Sequence, residues 1–317
     1  MKITFPESKI YRLKEINMEV FEQGEGFPLV LAHGFPELAY SWRFQIPVLA
    51  EAGYRVIVPN QRGYGESDKP ESVDAYDMSH LCGDLASLLD VLNLEKAVFI
   101  GHDWGSVVVW NMPLYHPEKV TGVVGMSVPF SPRGNFDPIP AMEQFLGSEN
   151  YIVHFNRKPG VADAAFAAKP KQFFTNVFRH KQWVGATQSL PGNRPGPALS
   201  LMSMLERKNP PGEPLMSEEE MDVFITAFKK GGFTGPINWY RNISRNWEIS
   251  ADLPQKINVP CAMIHGTYDI VPKGRDVSNF IPNLESITLD CGHWIQQEKV
   301  DEVNDFLVDW LKRNFPS

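Results

Sequence analysis

The stretch Ala97 to Val109, AVFIGHDWGSVVV, constrains the chain more than any other part of it. A run of β-type apolar residues ends at Gly101, and a run of small, then apolar, residues begins at Gly105. The chain therefore passes from buried strand to helix through a sharp turn that lifts one side chain above the sheet, a nucleophile elbow usually written G-x-S-x-G. Here the lifted residue is Asp103. A carboxylate in that position is a nucleophile toward strained or halogenated carbon, and it leaves an ester that must then be hydrolysed. The competing reading makes Asp103 an ordinary N-cap in a Rossmann-like turn. A serine esterase would need its serine at the elbow centre, and Ser106 stands off that spacing.

The surrounding pattern tells what the elbow is mounted on. PLVLAHG (28–34), YRVIVP (54–59), VTGVVGMSV (120–128) and VPCAMIH (259–265) are continuous apolar runs, with a shorter strand at 285–289 and a strand or hairpin within 10–22. Helical spacing appears at 42–52, at 78–92 with Leu81, Leu85, Leu88, Leu89 and Leu92, and at 300–312. Apolar strands separated by helices imply an α/β fold whose mostly parallel sheet is covered on both faces. Ligands in such sheets sit beyond the carboxyl ends of the strands.

From Ser131 the composition turns rich in aromatics, prolines and glycines, with turn-forming PGNRPGPA (191–198) and NPPGEP (209–214) and no clear strand. Helices are expected near 140–155, 171–183, 198–205, 217–229 and 237–247, the fourth opened by a capping box of Ser217 and Glu220. The expectation is a core of residues 1–130 and 246–317 with a helical lid of residues 131–245.

Three residues then fall in the order Asp103, Asp269, His293, each just past an expected strand end. Nucleophile, acid, histidine is the chain order of a hydrolase triad. Composition narrows the partners. A formal charge of −8 excludes nucleic acid binding, which needs clustered Lys and Arg. No apolar run approaches a membrane span, and MKITFPESKI lacks the apolar centre of a signal peptide, so a cytoplasmic protein is expected. Cys82, Cys261 and Cys291 are too few and too scattered for a disulfide framework or a zinc site and are expected to be small buried hydrophobes. Nothing calls for a metal or a cofactor.

HGFPE (33–37), RGYGESDKP (62–70), GHDWG (101–105), HGTYDIVP (265–272) and CGHW (291–294) together resemble the α/β-hydrolase-fold epoxide hydrolases, over nearly the whole chain. Within the lid, NYIVHFNRKPGV (150–161) and INWYRNISRNW (237–247) resemble the family segments that carry two lid tyrosines, which fall on Tyr151 and Tyr240. The core motifs are shared with haloalkane dehalogenases, and the lid tyrosines select epoxides.

The resemblance implies that Asp103 opens a hydrophobic epoxide and that water, activated by His293 with Asp269, hydrolyses the ester. The chemistry agrees: an alkoxide is a poor leaving group, and phenols, with pKa about 10, are donors at neutral pH. Backbone N–H groups of Phe35 and Trp104 stand where an oxyanion hole is expected. Phe35, Trp104, Tyr151, Trp239 and Tyr240 are the expected substrate contacts, with Phe130, Phe136, Phe145, Phe155, Trp183 and Met202 as further candidates for an apolar pocket. His33 and His102 are expected to be structural. A dehalogenase would use the same triad with halide donors, and Phe35 stands where such families often place Asn. A fluoroacetate dehalogenase would show arginines soon after Asp103, which are missing. A retired, ligand-binding hydrolase fold would have lost a member of the triad. The apolar lid residues could face the core or a second copy in a homodimer.

Overall fold

In the computed structural model, which describes residues 5–181 and 199–316, eight strands form a single sheet. They are β1 (Ser8–Arg12), β2 (Asn17–Gln23), β3 (Phe27–Ala32), β4 (Tyr54–Asn60), β5 (Ala97–His102), β6 (Val120–Met126), β7 (Cys261–Gly266) and β8 (Leu284–Leu289). Their order is β1-β2-β4-β3-β5-β6-β7-β8, parallel throughout except for β2, which runs antiparallel to both neighbours. The expected parallel α/β sheet is what the chain forms.

The continuous apolar runs arise because both faces are covered. One face sets Leu29, Leu31, Val98, Ile100 and Val124 against Leu307 and Trp310 of the last helix, and the other sets Val30, Phe99 and Val123 among Leu85, Val108 and Val109. Every residue of β5 is buried, and each large apolar side chain taken out of water contributes roughly 1.5–3 kcal/mol. Helices α1 (Gln45–Glu51), α2 (Met78–Val91) and α3 (Trp104–Tyr115) pack on the strands. The side chain of Asp77 caps α2 by accepting from the His80 N–H. In the pairing of β3 with β5, Ala32 stands beside Gly101, so the loop after β3 meets the elbow after β5.

Among the described residues, eight helices lie between β6 and β7: α4 (Pro138–Leu146), α5 (Tyr151–Arg157), α6 (Val161–Ala168), α7 (Pro170–Val177), α8 (Leu201–Leu205), α9 (Glu218–Gly231), α10 (Thr234–Arg241) and α11 (Ile243–Ile249). The last runs past Arg245. Two expected helices are each divided. Residues 140–155 form the end of α4 and most of α5, broken where Gly147 takes φ +82° and Asn150 caps α5 through the Ile152 N–H. Residues 237–247 form α10 and α11, parted at Asn242, whose side-chain amide donates to Val73 O and Asn238 O. Helix α6 is an additional element, and α7 ends at Val177, short of the expectation. The capping box on α9 is present, with both Ser217 and Glu220 making their backbone hydrogen bonds. The chain closes with α12 (Ile295–Glu298) and the amphipathic α13 (Val300–Asn314). No described helix is long and apolar enough to cross a membrane.

The inserted helices are bolted to the strand layer at several points. Buried Arg43, at the end of the short turn before α1, donates to Glu220 Oε1 at 2.8 Å and to Gln297 Oε1 at 2.7 Å. Trp239 Nε1 donates to Arg62 O at 3.1 Å, and Arg245 donates to the α2 cap, Asp77, at 2.8 Å.

Candidate active site

Asp103 sits between β5 and α3 with φ +51° and ψ −119°, a region that residues bearing a Cβ seldom occupy. Its neighbours permit the turn. A Cβ on Gly105 would strike the Ala32 carbonyl, and one on Gly34 would strike the Asp103 side chain. Asp103 precedes α3 but makes no side-chain cap, so its carboxylate is free for other work. That observation disfavours the N-cap reading. Oδ1 accepts from the Phe35 N–H at 2.8 Å, and Oδ2 lies 3.6 Å from His293 Nε2. The Trp104 N–H heads α3, one of the amides that a helix leaves without an internal acceptor.

His293 follows β8 and directs Nδ1 to Asp269 Oδ1, 2.9 Å away in the loop after β7. Asp103, His293 and Asp269 are thus brought into one line, all but buried. Burial opposes a charge on His293, yet the carboxylates of Asp269 and Asp103 outweigh it and hold its pKa well above the ordinary value. Asp269 likewise resists its own burial. The charge and hydrogen bond of His293, the Val271 N–H and the Ser127 hydroxyl hold its carboxyl below the usual range.

Tyr151 opens α5 and Tyr240 lies on α10, with their rings edge-on and centroids 5.5 Å apart. Burial, and next the nearby Asp103 charge, raise the Tyr151 phenol. Burial, followed by Tyr151 and Asp103, raises Tyr240 well above its ordinary value. Both phenols therefore keep their protons. Tyr240 also meets Trp104 at 5.0 Å, Phe35 at 5.3 Å and Phe155 at 5.2 Å. Trp239 stands behind this group: it is fully buried and meets Trp104 edge-on at 5.9 Å, with its N–H committed to Arg62 O.

The further pocket candidates divide. Phe155 packs on Phe35 and both tyrosines. Phe130 packs instead with Trp110 and Phe280. Phe136 and Phe145 are 82% and 67% exposed, which corrects their placement in a pocket wall. Trp183, like the turn at 191–198, lies outside the described residues. The three cysteines are buried free thiols, and burial pushes Cys291 up to about 12, the range of an inert thiol.

The histidines of the HGFPE and GHDWG motifs, His33 and His102, serve the scaffold in different ways. His33 donates from Nδ1 to Gly34 O and accepts the Gln61 N–H at Nε2, and burial lowers it to about 4, so it is neutral. His102 faces two acceptors, Glu37 Oε2 at 2.6 Å and His293 O at 2.7 Å. Burial disfavours its charge, but Glu37 raises its pKa above the ordinary value. Glu37 resists burial in turn and is held at about 2 by His102 and the Gly34 N–H. This buried ion pair joins the Phe35 loop to the His293 loop. From the other side Glu298 accepts from both Gly292 N–H and Trp294 N–H, at 3.0 and 3.1 Å.

Replacing Glu37 with Gln should cost about 3 kcal/mol, because it leaves His102 buried without its countercharge. Glu37 contributes stability above about pH 4.5 that is lost as pH falls toward its folded value of about 2. The His102 contribution is complete below its ordinary pKa of 6.5 and is lost as pH rises through its raised folded value. Urea denaturation of both proteins at about pH 6, where wild-type Glu37 is ionised and His102 is held charged, should show this gap. Equal stability of the two proteins at about pH 6 would remove the ion pair.

A family profile described as the alpha/beta hydrolase fold matches residues 28–300. The chain is 41% identical to "Epoxide hydrolase A" of Mycobacterium tuberculosis (strain ATCC 25618 / H37Rv), over 96% of this chain and 97% of that protein. The chain belongs to the α/β-hydrolase-fold epoxide hydrolases. Another member, "Bifunctional epoxide hydrolase 2" of Rattus norvegicus, is 39% identical over 94% of this chain and 54% of its own longer sequence. Among solved epoxide hydrolases, the crystal structure of Epoxide Hydrolase A from Mycobacterium thermoresistibile superposes with a TM-score of 0.85 at 39% identity, covering 97% of this chain and 98% of that one.

Glu37, Ser127 and Glu298 escape the sequence reading of this epoxide hydrolase. Glu37 stands inside the HGFPE motif, so its position carries a signal although its partner does not. Ser127 and Glu298 carry none, because each acts on the His293 loop from well over 150 or from only a few residues away with no shared pattern.

Proposed function

We propose that the chain converts a hydrophobic epoxide to a vicinal diol through an ester on Asp103. The observation that carries this reading is a carboxylate at the elbow, free of helix capping, with an imidazole beside one oxygen and two protonated phenols close by. The names of the relatives agree with epoxide hydrolysis. Residues 131–245 are then the lid and the remainder the catalytic core.

Asp103 Oδ2 attacks a ring carbon as the carbon–oxygen bond of the ring breaks. A tyrosine hydroxyl gives its proton to the developing alkoxide, and holding the ring against the carboxylate adds a proximity effect. Esterification removes the Asp103 charge that helps keep His293 protonated. His293 then releases its proton to the phenolate and becomes a base only after the ester exists. It takes a proton from water, which attacks Cγ of Asp103. The oxyanion on Oδ1 is held by the N–H groups of Phe35 and Trp104. As the Cγ–O ester bond breaks, the second water proton reaches the diol oxygen, and His293 is left charged as at the start. Asp269 orients the imidazole and stabilises its charge.

A single turnover in heavy-oxygen water, with enzyme in excess over an aryl epoxide, should give unlabelled diol and place the label in the Asp103 peptide. Label found directly in the diol would overturn the ester route. Bromide released from a bromoalkane faster than epoxide is opened would move the chain to dehalogenation.

A further inference from the structure

Ser127 follows β6 with φ +70°, one of four non-glycine residues in the left-handed region among those described, and Asp103 is another. A residue with a Cβ is unfavourable there, and such an outlier persists only where the surroundings hold it. They do so here. Its own N–H donates to Ile264 O of β7, and the preceding Met126 carbonyl accepts the Asp103 N–H. The following Val128 carbonyl accepts Ser106 Oγ at 2.6 Å and Trp110 Nε1 at 3.2 Å. Residues 126–128 thus join the elbow to β7, the strand that leads to Asp269.

The side chain held this way is almost fully buried, and its Oγ lies 3.1 Å from His293 Nδ1. We infer that Ser127 is a positioning residue for ester hydrolysis: its hydroxyl oxygen shares the Nδ1–H of His293 with Asp269, fixing the tautomer that leaves Nε2 free to take a proton from water. This rests on the ester mechanism proposed above. In the neutral imidazole only one nitrogen carries hydrogen, so two oxygens facing Nδ1 hold the proton there. When the imidazole becomes charged, the Nδ1–H keeps both acceptors. The charged groups facing His293 are Asp103 from the elbow, Asp269 from the loop after β7 and His102 from the end of β5. Ser127 adds the neutral oxygen that completes the set. The attack on the epoxide does not pass through Nδ1, so the effect belongs to the second step.

The test compares Ser127→Gly, Ser127→Ala and Ser127→Asn with the wild type in rapid-quench single turnovers with styrene oxide, following the Asp103 ester by mass across pH. Ester formation should stay within about twofold, and its decay should slow about tenfold in the Gly and Ala variants, the value of one hydrogen bond. The acid-limb midpoint of the decay should move to lower pH, because the charged imidazole has lost an acceptor. Asn tolerates positive φ and carries an oxygen, so it should restore most of the rate. Glycine relieves the backbone strain, so its variant folds even if the alanine variant does not. A midpoint that moves down in neither variant, whatever the rates, overturns the inference. A wild type that forms no ester takes down the ester mechanism itself, and this inference with it.

Discussion

Asp103→Asn should lower diol formation by about 10⁴-fold or more while the protein stays folded. The side chain makes no helix cap, so its loss as a carboxylate takes nothing from α3. Asparagine tolerates the positive φ of the elbow and still offers an oxygen to the Phe35 N–H. What disappears is the nucleophile, and with it one of the two negative charges beside His293. The measurement is diol yield over long incubation together with a melting curve. Retention of more than about one per cent of activity in a folded variant would end the assignment of Asp103 as nucleophile.

The double substitution Tyr151→Phe, Tyr240→Phe should have the next largest effect, about 10³-fold on ester formation, within the range that general acids contribute. Each single variant should lose far less, about tenfold, because the remaining phenol stays beside the elbow and protonated. Removing both leaves the alkoxide without a donor. The rings themselves remain, so the edge-on contacts with Trp104, Phe35 and Phe155 are kept and the fold should be unaffected. Stopped-flow or rapid-quench single turnovers resolve the first step directly. A double variant that opens epoxides at the wild-type rate would detach Tyr151 and Tyr240 from the reaction.

Residues at the carboxyl ends of strands were legible in the sequence for a physical reason. A parallel, doubly covered sheet forces its strands to read as apolar runs, and each run points at the loop that follows it. Asp103, Asp269, His293 and Phe35 stand immediately beyond such runs, so locating the strands located them. Ser127 also stands beyond one, but its importance comes from a hydroxyl meeting an imidazole carried by a distant strand, and no local pattern records that contact. The ion pair of Glu37 with His102 was hidden for the same reason: each looks like a turn residue until the fold buries both. The inserted helices were less legible in detail. They are short and are ended by single events, a positive-φ glycine at 147 and an amide of Asn242 turned toward Val73, which periodicity smooths over. The exposed Phe136 and Phe145 show the converse limit, since an aromatic residue in an aromatic-rich segment does not announce which way it faces.

The bolts between the inserted helices and the strand layer bear on how this protein can be recombined with its relatives. Arg43 is buried with its guanidinium against Glu220 and Gln297, so a transplanted set of inserted helices without an acceptor at the Glu220 position would strand a cation. The Arg62 carbonyl and the Asp77 carboxylate make parallel demands on Trp239 and Arg245. Chimeras that exchange the inserted helices therefore need to carry these three partners across the junction, or to exchange the Arg43 and Asp77 side chains with them, whereas the Arg62 backbone carbonyl stays and keeps its need for a donor.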